Sequence, residues 1–286
     1  MLFGVSSMNN PNDPPPGKLA QAIAERGFES LWIGEHPHIP SSRLTPYPAG
    51  GEMPDAYRSM MDPFLSLLAA ALAAPDLVVG TGVALPLEHD LFDLAKTVAT
   101  LDHLTGGRFE FGVGVGWNAE ELANHRPISW ASRYRALAEC VAALRSLWCD
   151  EESEFHGDFF DFEKVWSFPK PLQKPNPPIL CGMAGRLGTR HALAWADSWM
   201  PMDVALGNVP RRVTRFREAA QAAGRDPGSI SLTMVAFGDP DRATLESYRD
   251  LGVKRVVLGA NRTGWSDPDT LLPWLDGYVD MISELG

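Results

Sequence analysis

The chain has 286 residues, 45% of them hydrophobic, enough to bury a substantial single core. Its 36 acidic side chains outnumber 25 basic ones for a net charge of -11, which argues against a nucleic-acid surface, where clustered cations must neutralise phosphates. No run approaches the roughly 20 apolar residues of a membrane span, the first residues lack the basic start and apolar run of a leader, and Cys140, Cys149 and Cys181 have neither disulfide-type nor metal-type spacing, so a cytoplasmic protein without a membrane partner is expected.

In chain order, apolar runs of strand length fall at Leu2 to Ser6, Leu31 to Ile33, Leu77 to Val83 and Phe109 to Val113. Four more follow at Ile179 to Cys181, Ser198 to Met200, Ser231 to Ala236 and Arg255 to Leu258. Helical spacing fills the intervals; Tyr134, Leu137, Val141, Leu144 and Trp148 advance by three or four residues and make one apolar stripe. Eight strands with helical crossovers predict an α/β protein, a single (β/α)8 TIM barrel over residues 1–286. An open doubly wound sheet is the alternative, because periodicity counts strands without showing closure. Two segments interrupt the alternation. Residues 35–62, rich in proline and glycine, form a long loop after the second strand, of the kind that serves as a lid or binding loop. Residues 153–178 alternate aromatics and end in prolines, which predicts an insertion with a small hairpin before the fifth strand.

The run Gly112-Val-Gly114-Val-Gly116 ends the fourth strand, but a dinucleotide fingerprint needs glycine where Trp117 stands, and no phosphate-binding GK[ST] loop occurs. These glycines either permit a tight strand-to-loop passage or let a flat ring or ribityl chain approach the backbone. After the fifth strand, Gly182-Met-Ala-Gly-Arg186 opens a helix, where free backbone N–H groups and the helix dipole can hold a phosphate, helped by Arg186 or Arg190. Glu35, His36 and His38 stand just beyond the second strand, at the barrel mouth. His36 is the proton-transfer candidate, with Glu35 placed to orient it or raise its pKa. The H-x-H pair also suggests a metal hydrolase, but His89, His103, His125, His156 and His191 fall in helices or insertions, so no metal site is expected.

Together the segments GFESLWIGEHPHIP, DPF, TGVALPLEHDLFDLAKTVATLDHLTGGRFEFGVGVGWNAEE, FHGDFFDFEKVWSFPKPLQKPNPPI and WADSWMP resemble the luciferase-like flavin and deazaflavin oxidoreductases, specifically the branch that uses coenzyme F420. The resemblance implies a barrel that binds a flavin-like ring at its mouth and transfers a hydride between that ring and a small organic substrate entering beneath the lid. It places phosphate on Gly182, Met183, Ala184, Gly185 and Arg186, the ring and ribityl chain against Val115, Gly116, Trp117 and Asn118, and a non-prolyl cis peptide at Gly82–Val83 behind the ring. It makes Glu35 and His36 an active-site pair and suggests a homodimer. Two departures stand out. Trp117 replaces the glutamate that sugar-phosphate-oxidising relatives use as proton donor, and CGMAG lacks their small hydroxyl residue, so phosphate would rest on backbone N–H groups. F420 is the expected cofactor, with FMN in an O2-using monooxygenase as the alternative; a barrel that binds flavin without turnover is a third reading, since Trp117 could close the substrate space. A basic path for the acidic tail of F420 could include Arg43 or Arg186.

Overall fold

Side chains alternate between two environments along each central strand, as the pleat dictates. In the computed structural model, which describes residues 1–260 and 266–286, eight parallel strands close into a barrel. They are β1 (Leu2–Ser7), β2 (Ser30–Ile33), β3 (Val78–Thr81), β4 (Phe109–Val113), β7 (Ile179–Cys181), β8 (Ser198–Trp199), β9 (Ser231–Phe237) and β10 (Arg255–Ala260). Their order around the ring is β1-β10-β9-β8-β7-β4-β3-β2. Closure removes the open-sheet alternative. The insertion carries an antiparallel hairpin of β5 (Ser153–His156) and β6 (Asp161–Val165), with Phe155 opposite Phe162. No helix among the described residues is long and apolar enough to cross a membrane.

Outward residues of the barrel, among them Phe3, Val5, Leu31, Ile33, Val79, Phe109, Phe111 and Ile179, form one continuous core with the helix stripes. The helix Arg133–Cys149 buries Leu137, Val141, Leu144 and Trp148, the residues whose spacing predicted it, and the Trp148 indole N–H donates to the Ala95 carbonyl at 3.0 Å.

Inside the barrel a second, smaller cluster holds Trp32, Leu180, Met200, Val235 and Val257. Trp32 is the largest of these and sets the terms for its neighbours. A Cβ on Gly80 would lie 2.4 Å from the Trp32 ring, and one on Gly4 would lie 2.5 Å from Ser30 Oγ and 2.9 Å from Trp32 Nε1. Both strands therefore need glycine where they face the indole. Beneath it the barrel floor is charged: Arg255 donates to both oxygens of Glu29 at 2.8 and 2.6 Å and to both oxygens of Glu110 at 2.8 and 2.9 Å. Its guanidinium lies 5.2 Å from the Trp32 ring centre. A buried cation is tolerated here because two bidentate carboxylates satisfy its donors.

The third strand is shorter than its apolar run, ending at Thr81 and not at Val83. Gly82 N–H still donates to the Ile33 carbonyl at 2.7 Å, but Val83 leaves the ladder, which resumes where Ala84 N–H donates to the Gly112 carbonyl at 2.8 Å. The Gly82–Val83 peptide is cis, as the resemblance implied. Gly80→Ala should lower stability by roughly 1–3 kcal/mol, the usual cost of overpacking. In urea unfolding, the combination with Trp32→Phe should cost less than the sum of the single changes, since the two sites share one volume; strict additivity would refute the packing argument.

Candidate active site

The loops after β2, β3, β4 and β7, neighbours in the ring, converge on the barrel mouth. Val83, turned out of the ladder, stands half-exposed at its centre. A Cβ on Gly114 would lie 2.7 Å from Val83 Cγ2, and one on Gly182 would lie 2.4 Å from Val83 Cγ1. The glycines at the ends of β4 and β7 thus make room first for a side chain of the protein itself. The result is a small apolar shelf flanked by bare backbone.

Glu35 and His36 are adjacent in sequence but take different partners. Glu35 accepts from Leu85 N–H at 2.7 Å and pairs with His89 Nε2 at 2.7 Å. His36 Nδ1 lies 2.7 Å from Glu121 Oε2, and its Nε2 accepts from the Trp117 indole N–H at 2.9 Å. An indole N–H can only donate, so His36 Nε2 is the acceptor nitrogen and Nδ1 donates to Glu121. The expectation that Glu35 orients His36 is therefore corrected: Glu121 does, from the first turn of the helix Ala119–His125, whose N-terminus Asn118 caps at 3.2 and 3.3 Å. His89, expected from sequence in a helix or insertion, instead follows the short turn Pro86–Glu88 and pairs with Glu35. Burial opposes a charge on His89, but the hydrogen bond and charge of Glu35 outweigh it and raise its pKa.

Sequence reasoning missed three groups here: Glu88, His89 and Glu121. Glu121 was legible in part, as an acid three residues after the capping Asn118 in the N-A-E-E run. Glu88 is buried beside Glu121 and Glu35, and burial followed by those two charges pushes its carboxyl from 4.5 up to about 9. Glu88 Oε2, Glu121 Oε1 and Asn118 Nδ2 are buried without a hydrogen-bond partner. At neutral pH Glu88 keeps its proton, so the three carboxyls do not all carry charge.

The loop of residues 35–62 folds over this cluster. Tyr57 meets the His36 ring edge-on at 5.4 Å, and Tyr47 meets Trp117 at 5.7 Å. Tyr47 and Tyr57 join through their hydroxyls at 3.3 Å. Glu120 pins the loop by accepting from Leu44 N–H, Thr45 N–H and the Thr45 hydroxyl at 2.7, 3.1 and 2.6 Å. These bonds hold its carboxyl down at about 2, the Thr45 hydroxyl contributing most. Arg43 lies over the Trp117 ring at 5.7 Å and donates to the Thr45 carbonyl. His38 turns away to Asn124 at 2.9 Å, so the H-x-H pair does not converge. Among the described residues no three His, Cys, Asp or Glu side chains are grouped to hold a metal.

Across the mouth, the helix Gly185–Trp195 begins without a side-chain cap. Asp62, Asp90, Asn118, Asn208, Asp241 and Asp267 each put a carbonyl or carboxylate oxygen on the first N–H groups of their helices. Ala184 puts a methyl there instead. Its neighbour Met183 is buried, with its carbonyl accepting from the Trp199 indole at 2.9 Å. Val115 and Gly116 are half-buried, with Glu88 Oε1 3.6 Å from where a Gly116 Cβ would stand. Arg186 is exposed.

A sequence profile described as luciferase-like monooxygenase matches residues 16–265. An uncharacterized protein of Mycobacterium tuberculosis is 36% identical over 270 residues, covering 91% of this chain and 92% of its own length. An F420-dependent hydroxymycolic acid dehydrogenase of the same organism is 27% identical, covering 76% of this chain and 57% of that one. An FMNH(2)-dependent dimethylsulfone monooxygenase of Pseudomonas putida is 32% identical, covering 77% and 56%. The fold is shared with a coenzyme F420-dependent tetrahydromethanopterin reductase of Methanopyrus kandleri, with a TM-score of 0.71 at 14% identity over 97% of each chain.

Replacing the buried acid tests the carboxyl cluster. Glu88 binds its proton more tightly folded than unfolded, so its contribution to stability falls as pH rises from 4.5 towards about 9 and then levels off. Glu88→Gln lacks this loss. The stability difference between variant and parent, from urea unfolding at several pH values, should move in favour of the variant across that window; a difference independent of pH would show that Glu88 is not perturbed.

Proposed function

The chain belongs to the luciferase-like monooxygenase family, and from that premise we propose that it is a coenzyme F420-dependent oxidoreductase acting on a small organic substrate that carries an alcohol or its carbonyl. The observation that carries this reading is His36 at the mouth, anchored at Nδ1 by Glu121 and with Nε2 fixed as an acceptor by the Trp117 indole. Taking a hydride from an alcohol carbon requires that the hydroxyl proton go to a base, and a histidine with its tautomer fixed by a carboxylate is built for that step.

The residues present fit such a cofactor. Asn118 Nδ2 is a buried donor without a partner, Val83 offers a shelf between bare glycine backbones, and the uncapped N–H groups after Ala184 suit a phosphate. The deazaflavin, when bound, accepts or returns the hydride at a ring carbon. Val83 and Gly114 to Trp117 would support its ring and ribityl chain, and Gly182 to Arg186 its phosphate. Trp117 currently fills the hydrogen-bonding position on His36 Nε2. Its indole must swing aside for a substrate oxygen to reach that nitrogen, while Tyr47 and Tyr57 roof the site against water. With Trp117 moved, His36 takes the proton from an alcohol, or gives one to a carbonyl, and Glu121 stabilises the charged ring.

Titration with F420 and, separately, FMN, following ring fluorescence, is the direct test. Tighter binding of F420 supports the proposal; tight FMN with no F420 moves the chain to the FMN-dependent, O2-using monooxygenase reading. Binding of either without substrate turnover leaves a cofactor-binding barrel. His36→Ala should lower kcat roughly 100- to 10,000-fold, the usual worth of general acid–base catalysis, with little change in cofactor affinity. Ala184→Asp supplies the missing cap and should stabilise the helix by about 1 kcal/mol while weakening cofactor binding, because its carboxylate takes the N–H groups that phosphate needs. Unchanged affinity in that variant would remove the phosphate assignment.

A further inference from the structure

We propose that the groove between the helices Gly185–Trp195 and Val209–Ala222 receives the oligoglutamyl chain that coenzyme F420 carries beyond its phosphate and that FMN lacks. The inference rests on the F420 reading and adds a site to it. The groove is about 810 Å³ and is lined by Arg186, Thr189, Arg190, Arg212, Arg215 and Arg225 among others. Five guanidinium groups gather there in a chain whose net charge is -11.

Seven arginines elsewhere in the chain are held by acids. Arg26, Arg58, Arg135, Arg145, Arg242, Arg249 and Arg255 each pair with a carboxylate. Acidic groups are in excess, so partners are plentiful. Yet among the described residues Arg186, Arg190, Arg212 and Arg215 have no side-chain hydrogen bond or ion pair, although they line one groove. Arg186 and Arg190 stand four residues apart on one helix, and Arg212 and Arg215 three apart on the next, so each pair shares a helix face. Arg225 is engaged otherwise: it donates to the carbonyls of Leu193 and Ala196 at 2.9 and 2.6 Å. Of the acids nearby in sequence, Asp226 is bound to Gly228 N–H at 2.9 Å, and Glu218 makes no ion pair with Arg215. The field is felt locally: burial, then the charge of Arg190, pushes the His191 pKa down.

The position of the groove selects its occupant. Arg186 directly follows Gly185, at the uncapped helix start that suits the cofactor phosphate. A chain leaving that phosphate meets Arg186 first and then Arg190, Arg212 and Arg215. Guanidinium forks match carboxylates with two parallel hydrogen bonds, and a chain of glutamates presents carboxylates in series. Arg43, the other basic residue near the mouth, is occupied by Trp117 and Thr45 and does not contribute.

Equilibrium binding of the full chain to F420 bearing no, few or many glutamates, with FMN as control, tests the assignment at low and high salt. Affinity should rise with chain length, and salt should erase the gain by screening. Arg212→Glu with Arg215→Glu should weaken long-chain F420 on the order of tenfold, from exposed pairs worth roughly two- to fivefold each, and leave FMN and glutamate-free F420 unchanged. Arg212→Gln with Arg215→Gln should lie between, with melting temperatures confirming that both variants fold. If every chain length binds wild type equally, or if the variants lose FMN as much as long-chain F420, the groove assignment is wrong while the cofactor reading stands. If no form of F420 binds and FMN does, both fall together.

Discussion

One aromatic ring in the middle of the barrel constrains everything above it. Trp32 fills the interior at the level where most barrels stack several aliphatic side chains, and it can do so only because Gly4 and Gly80 face it without side chains. The constraint then climbs strand by strand. A Cβ on Gly82 would lie 3.3 Å from Trp32 Cβ and 3.4 Å from Met200 Cε, so the next inward position of β3 is also bare. Val83 follows and leans over the packed interior, and its two methyls in turn demand Gly114 on β4 and Gly182 on β7. The glycines at the mouth are thus the upper end of a steric chain that begins at the floor, where Arg255 ties Glu29 to Glu110 beneath the same indole. Functional surface and structural core are here continuous.

That continuity explains what could be read from the sequence. All eight barrel strands lie where apolar runs predicted them, because outward residues such as Val79, Phe111 and Ile179 must be apolar to meet the helices. The inward residues obey a different rule, volume against Trp32, and a glycine chosen for that reason looks in sequence like a glycine chosen for a ligand. Gly114 is the instance: its run suggested a ring-binding loop, and the structure gives it a nearer reason in Val83. The end of β3 was overrun for a related cause, since Gly82 and Val83 are as strand-like in composition as the residues before them.

The polar part of the site was legible by position and not by partnership. Sequence places Glu35 and His36 at the mouth, but neighbours on a strand end point in different directions, so Glu35 reaches Leu85 and His89 while His36 reaches Glu121. Which acid faces which histidine depends on how the loops after β2, β3 and β4 fold over one another, and no spacing rule encodes that. Glu88 shows the consequence most plainly. Nothing in P-L-E-H marks the glutamate as buried; burial first, and then the charges of Glu121 and Glu35, make its proton hard to remove.

The two sides of the mouth have opposite electrical character. Around β2, β3 and β4 stand Glu35, Glu88, Glu120 and Glu121, three of them buried, with Glu35 and Glu121 each paired to a histidine. Around the helix after β7 stand an uncapped row of N–H groups and unpaired arginines. The field of the mouth would therefore draw an anionic group towards β7 and keep one away from the carboxyls around β2, β3 and β4. The wall there cannot accumulate charge without cost, because Glu121 already lies beside Glu88 and Glu35. Trp117, whose indole can donate but not accept, holds His36 Nε2 as the acceptor nitrogen. Any other donor can reach that nitrogen only by taking the place of the indole, so access to Nε2 is set by the position of Trp117.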